Sequence, residues 1–243
     1  MKKNILAIIP CRSGSEGIKN KNIIKLFGKP LIYYSIYFAQ QCNFINKIVV
    51  STDSKKYKKI AQRYGILPTP LRPKKISKNN SLDIEFVKFE LNFLKKKENY
   101  KPDYVLILRP TSPLRKIKTL KKAINILLKN KNIESVRSIS EMNKTIYKAW
   151  KLNKSHFLGP VIKNDTKFKE PYNAPRQELK KFYYQNAVYD LFNVKVLDKN
   201  LLSGKKIYGL KTDENIDIDS PRDLQNLKSQ KKNFINFKKF IKG

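Results

Sequence analysis

Residues 5–22 read ILAIIPCRSGSEGIKNKN. The apolar run Ile5–Pro10 stops at a proline and opens directly into a polar loop that holds Gly14 and Gly17. That pattern predicts a fully buried strand followed by a strand-to-helix turn. The same alternation continues downstream. Pro30–Gln41 carries Leu31, Tyr34, Ile36 and Phe38 at helical spacing. Lys47–Ser51 is a second apolar run, ended by Thr52-Asp53-Ser54, and Tyr57–Tyr64 is predicted helical with Gly65 as its C-terminal cap. Leu82–Lys97 predicts a longer amphipathic helix, Tyr104–Leu108 a third buried strand closed by Arg109-Pro110, and Ile117–Leu128 another helix. Alternating strands and helices build an α/β fold, a parallel sheet with helices on both faces. Ligands of such sheets collect beyond the carboxyl ends of the strands. The loops Cys11–Asn22, Thr52–Ser54 and Arg109–Arg115 are therefore expected to converge on one site.

From about Glu134 to Tyr208 the pattern changes to shorter, aromatic-rich, strand-like segments, the expected signature of a β-rich insertion. Ile207–Leu210 reads as one more sheet strand. The acidic cluster Asp213–Asp219 follows, and Ser220 is placed to cap a last helix that starts at Pro221. The basic tail Lys228–Gly243 is expected to be a terminal helix with a frayed end, a membrane-surface contact being the alternative.

A chain of 243 residues with 40% hydrophobic content can bury a full core, and no Pro/Gly/Ser-rich stretch marks a linker. One domain with an insertion is expected. Cys11 and Cys42 make no framework of bridges and fit a reduced, cytoplasmic setting. No apolar run approaches the length of a membrane span. Lys+Arg 53 against Asp+Glu 19 gives a formal charge of +34. Such a charge attracts polyanions, so nucleic acid is the first partner to weigh. The basic residues are spread along the whole chain, however, and there is no CxxC pattern, RNP-like aromatic box or arginine-rich arm. Lysine-biased composition is the preferred reading, and nucleic acid is not expected as the partner.

Four segments can carry chemistry. In the first loop, Arg12, Lys19 and Lys21 supply cations, Ser13 and Ser15 donors, and Gly14 and Gly17 close backbone approach and left-handed turns. A loop of this kind suits a chain of phosphates, though it has neither Walker A nor GxGxxG spacing and could be an ordinary exposed loop. In IDIDS, Asp217 and Asp219 lie two residues apart, so on an extended segment both carboxylates face one side and suit a hard divalent ion such as Mg²⁺. A surface loop is the alternative. In LRPTSPLR, Thr111 and Ser112 offer hydroxyls while Arg109 and Arg115 can bind anions. In APRQ, Arg176 sits in a proline-bounded turn and could fork onto a carboxylate. His156 is the only histidine, which excludes histidine-based metal sites and triads.

Taken together, IIPCRSGSEGIKNKNI, GKPLI, IVVSTDS, LRPTSPLR, APRQ and NIDIDSPRDL occur in order over nearly the whole chain, and they resemble the cytidylyltransferases that activate nonulosonic acids, the CMP-sialic acid synthetase group. The resemblance implies a Rossmann-like, mostly parallel sheet of the nucleotide-diphospho-sugar transferase type. It implies a β-rich dimerisation insertion at about residues 137–190 that reaches toward the partner's active site, a homodimer, and Mg²⁺ dependence. It places CTP on Arg12, Ser13, Gly14, Ser15, Lys21, Asn22, Arg72 and Ser81, with Arg72 near the base. It puts Mg²⁺ on Asp217 and Asp219, and an acidic nonulosonic sugar on Arg109, Thr111, Ser112, Arg176, Gln177 and Asn186. Arg12, Lys21, Asp217 and Asp219 would be the catalytic set. The chain departs from the family pattern at Glu16, where lysine is usual, at Asn79 for aspartate, at Arg109 for glutamine and at Ala187 for glycine. Arg109, RSIS and YNAPRQ lean toward members acting on legionaminic-type sugars. A synthetase for another acidic sugar, such as 3-deoxy-octulosonate, is the nearest enzymatic alternative.

Overall fold

Strand β1, Ile5–Pro10, is buried along both faces because its side chains alternate between two cores. The computed structural model describes residues 3–67, 69–162, 166–213 and 216–243. Ile5, Ala7 and Ile9 face one layer of helices, while Leu6 and Ile8 face the other. That two-sided burial is why the strand reads as a continuous apolar run. The following elements are α1 (Leu31–Gln40), β2 (Lys47–Ser51), α2 (Lys55–Arg63), α3 (Asp83–Glu98), β3 (Tyr104–Ile107) and α4 (Ile117–Lys129). Then come β4 (Ser135–Glu141), a hairpin of β5 (Trp150–Leu152) and β6 (Leu158–Pro160), β7 (Tyr183–Asn193) and β8 (Ile207–Lys211). Helices α5 (Pro221–Ser229), α6 (Lys231–Ile235) and α7 (Phe237–Lys242) finish the chain.

The sheet order is β8-β4-β7-β3-β1-β2. Strand β1 runs parallel to β2, with Leu6 opposite Lys47, and parallel to β3, with Ile5 opposite Tyr104. The direction then changes: β7 is antiparallel to β3, with Ile107 opposite Asp190. On one face α3 contributes Phe86, Val87 and Leu94 to a core with Leu6, Ile8, Val105 and Phe192. On the other, α1 and α4 supply Leu31, Ile32, Phe38, Leu120, Ile124 and Leu127. Each such side chain contributes roughly 1.5–3 kcal/mol on burial.

Local chemistry sets the boundaries. Ser54 accepts from the Tyr57 amide at the start of α2, and Gly65 follows it with φ 79°. Ser220 and Asp223 form a reciprocal cap at α5, with Pro221 at its first position. The tail corrects the expectation of a frayed end. Phe234, Phe237 and Ile241 are buried, and the Phe234 and Phe237 rings each lie 4.9 Å edge-on from Tyr34 of α1. Three of the apolar residues that raised a membrane contact, Phe234, Phe237 and Ile241, thus belong to the core, while Ile235 stays exposed. No helix among the described residues is long and apolar enough to cross a membrane.

The chain divides into two units, Met1–Ser138 with Asn186–Gly243, and Ile139–Gln185. The second has its own small core, Tyr147 with Ala174 and Leu179, and its hairpin leaves Leu152, Phe157 and Leu158 exposed. His156 lies in the turn of that hairpin with φ 61°. Cys11 and Cys42 are both buried free thiols.

Candidate functional site

Beyond the carboxyl ends of β1 and β3 lies a cleft of about 450 Å³. The first loop brings Arg12, Ser15, Glu16, Lys21 and Asn22 to it, the segment before α3 brings Arg72 and Ser81, and the loop after β3 brings Arg109 and Thr111. Asp217 and Asp219 line the same cleft. Between them Ile218 is fully buried and donates its amide to the Thr111 carbonyl at 3.0 Å, which pins the acidic segment to the LRPTSPLR loop. Lys21 Nζ donates to Asp219 Oδ1 at 2.6 Å, closing the cleft between residues 198 apart in sequence.

The glycines act differently from expectation. Neither Gly14 nor Gly17 has positive φ; the left-handed residue of this loop is Asn20, with φ 56°. Gly17 is needed for another reason, since a Cβ there would lie 2.2 Å from the Asp219 carbonyl oxygen. The close approach is therefore between the two loops themselves.

Several expected ligand groups are already engaged. Ser13 donates both its amide (2.8 Å) and its hydroxyl (2.7 Å) to Asp53, so it braces the loop and does not line the cleft. Ser112 is fully buried and donates to Asp217 Oδ1 at 3.1 Å, which makes it a support for the acidic pair. Asn186 is buried beside Thr212, 2.6 Å from its hydroxyl, and is not part of the cleft lining. Arg115 is buried outright. Its guanidinium donates to the Val188 carbonyl at 2.8 Å, to Ser35 at 3.1 Å and to the Arg109 carbonyl at 2.7 Å. It is a structural post under the loop rather than an anion receptor, and burial lowers its pKa to about 10. Arg176 and Gln177 belong to the second unit, where they line a separate cleft with Glu141, Thr145 and Lys181. Of the acidic cluster Asp213–Asp219, Glu214 and Asn215 lie outside the described residues.

Arg72 is only 5% exposed. It donates to Ser51 Oγ at 3.1 Å and to the Ser51 carbonyl at 2.8 Å, and stacks 4.7 Å over the Phe86 ring. Behind it, Glu90 of α3 is fully buried. Burial pushes that carboxyl up to about 7, against the opposing pull of Ser51, Arg72 and Thr69. Arg12 donates to the Gly14 carbonyl and to Asn79 Oδ1, and Asn79 donates in turn to Glu16. The Glu16 carboxylate thus lines the cleft but is held through Asn79 rather than against a lysine. Reading the sequence missed Asp53, Asp83, Phe86 and Glu90. Asp53 carries a weak signal, since it lies in the Thr52–Ser54 loop expected to converge, whereas Asp83, Phe86 and Glu90 fall inside the predicted helix Leu82–Lys97.

The arrangement offers cations, a carboxylate pair and a buried arginine–aromatic stack on the wall of one cleft. Such a cleft can hold a polyphosphate, coordinate a hard cation through oxygen atoms and receive a planar ring. Comparison with known proteins identifies the family. The Cytidylyltransferase family profile matches residues 6–239. The chain is 35% identical over 144 residues to an N-acylneuraminate cytidylyltransferase of Escherichia coli O18:K1:H7, a match covering 59% of this chain and 33% of that protein. It is 32% identical over 230 residues to a CMP-N,N'-diacetyllegionaminic acid synthase of Legionella pneumophila, covering 90% of this chain and 92% of that one. Among solved structures, a CMP:2-keto-3-deoxy-manno-octonic acid synthetase complexed with CTP superposes with TM-score 0.67 at 12% identity, over 95% of this chain and 99% of that one. At that identity the likeness speaks for the fold.

Proposed function

Because the chain belongs to the cytidylyltransferase family, we propose that it transfers the cytidylyl group of CTP to an acidic nonulosonic sugar, giving the CMP-sugar and pyrophosphate. The observation that carries this reading is the meeting of Lys21 and Asp219 in one cleft with Arg12, Arg72 and Arg109. Phosphate-type cations, a carboxylate pair and a spare arginine then face one volume.

In this reading Arg12 and Lys21 bind the triphosphate and stabilise the charge that develops on departing pyrophosphate. Arg72, stacked on Phe86 and held by Ser51, provides a rigid edge for the base. Asp217 and Asp219 fit Mg²⁺: both are hard oxygen donors on the cleft wall, and phosphate oxygens and water complete such a site. When bound there, Mg²⁺ would neutralise phosphate charge and favour ionisation of the attacking hydroxyl. Ser112 and Ile218 keep the two carboxylates turned to the cleft. The acceptor's anomeric hydroxyl attacks the α-phosphorus, forming the new P–O bond as the bond to pyrophosphate breaks and the hydroxyl proton passes to solvent water.

The legionaminic type is the preferred acceptor, on the strength of the relative that aligns along 90% of this chain. A homodimer through the second unit is part of the proposal, supported by the exposed Leu152, Phe157 and Leu158. Arg176 and Gln177 would then serve the sugar site. The decisive experiment measures pyrophosphate release with each nucleoside triphosphate, with and without Mg²⁺, across a panel of nonulosonic acids and 3-deoxy-octulosonate. Release confined to CTP, Mg²⁺ and a nonulosonic acid is expected. CTP-independent release, or none with any acid, would sink the reading.

A further inference from the structure

The cleft wall carries a charge cluster that the triphosphate machinery does not use. Arg109 lines the cleft, yet its described hydrogen bonds leave from Nη2 alone, one to Asp83 Oδ2 and one to Asp190 Oδ2 at 3.3 Å. Asp190 is 3% exposed and sits on β7 opposite Ile107, one layer behind the cleft surface. Its second oxygen lies 3.5 Å from Nε of Arg137, on the adjoining strand β4. Two carboxylates and two guanidiniums therefore sum to zero charge. A carboxylate buried behind an anion-binding cleft is costly unless its charge is met, and here Arg109 meets it from one side and Arg137 from the other. Burial alone would depress the Arg109 pKa, but Asp83 and Asp190 outweigh it and the net shift is upward, so the group stays a cation.

The consequence for a ligand follows from which atoms are occupied. Anchoring Nη2 at two points fixes the guanidinium plane and leaves Nη1 and Nε unengaged by described residues. A triphosphate is poorly suited to this wall, because Asp83 stands beside Arg109 and the cluster has no net positive field. A single carboxylate needs only one well-placed charge-assisted hydrogen bond, which a locally neutral, rigid arginine supplies. We propose that Asp190, braced by Arg137, is a positioning residue that fixes Arg109 for the carboxylate of the sugar-acid acceptor. Preference for an acidic acceptor then resides in the Asp190–Arg109 pair, not in Arg109 alone. This inference rests on the acceptor reading given above.

The test is the Asp190→Asn enzyme, assayed for both substrates. The KM for the sugar acid is expected to rise about tenfold, with the KM for CTP and kcat changed by less than about threefold. Arg137→Gln keeps Asp190 and its bond to Arg109, so it is the milder variant should Asp190→Asn fold poorly. It is expected to raise the same KM by a smaller factor. A merely structural role would lower the melting temperature and move both KM values together or neither, and that outcome in either folded variant overturns the inference. Wild-type enzyme that turns over no nonulosonic acid overturns the acceptor reading and the inference with it. Wild-type turnover with an unchanged sugar KM in the variants overturns the inference alone.

Discussion

At the scale of single residues, the cleft is held by contacts between side chains rather than offered as free groups. Asp219 pairs with Lys21 at 2.6 Å, and Asp217 leans on buried Ser112. Replacing Asp219 with alanine is expected to lower kcat by on the order of a hundredfold or more. The side chain is 74% exposed, so the melting temperature should stay near that of the wild type. Unimpaired turnover would remove the carboxylate from the mechanism. Ala187 poses a backbone question instead, since it has φ 57°, a left-handed conformation that strains any residue with a Cβ. Ala187→Gly should stabilise the protein by about 1 kcal/mol, read as a melting temperature higher by roughly 2–4 °C. An unchanged or lower value would show that the strain is relieved elsewhere. Residue types at the site were legible, because charged and hydroxyl groups clustered after predicted strands. Their occupancy was not. Nothing in the spacing of LRPTSPLR tells a buried Arg115 from a cleft-lining Arg109, since that depends on Val188 and Ser35 arriving from other elements.

At the scale of elements, α3 carries the most consequential pattern. Its apolar residues pack on β1 and β3, but Glu90 lies fully buried among them beside Arg72. A carboxyl raised from 4.5 to about 7 in the folded state binds its proton more tightly there than in the unfolded chain. Its contribution to stability therefore falls as pH rises from about 4.5 to about 7, and stays at its lowest above that. Glu90→Gln should flatten this part of the stability profile and gain most over wild type near pH 8, as chemical denaturation across that range would reveal. Parallel profiles would show that Glu90 titrates normally. The tail makes a second prediction. Phe237 packs against Tyr34 and Tyr37, so Phe237→Ala should cost about 3 kcal/mol in denaturant melts. A loss under about 0.5 kcal/mol would mean the tail is dispensable. Strands β1 and β2 could be read to the residue, as Ile5–Pro10 and Lys47–Ser51, because two-sided burial writes itself as apolar runs. The reversal at β7 could not, for alternation records which face a side chain occupies and not the direction of the strand. The docking of α6 and α7 was hidden too, because lysines interrupt their apolar positions.

At the scale of the molecule, the formal charge of +34 surrounds a cleft whose lining includes Arg12, Lys21, Arg72 and Lys78. A field of that sign speeds capture of a triphosphate and is weakened by salt, since the screening length shrinks from about 30 Å at 0.01 M to about 10 Å at 0.1 M. The value of kcat/KM for CTP is expected to fall several-fold over that range while kcat changes little. A flat profile would confine the charge to solubility. The contact between Lys21 and Asp219 also has a meaning in time. A ribosome adding about 5–20 residues per second leaves some 10–40 s between making the first residue and making the second. For that interval a nascent chain displays the cations of the first loop without the carboxylates that complete them. In the reading proposed above, the first-loop cations therefore wait for a carboxylate made 198 residues later before the two can act on a nucleotide together.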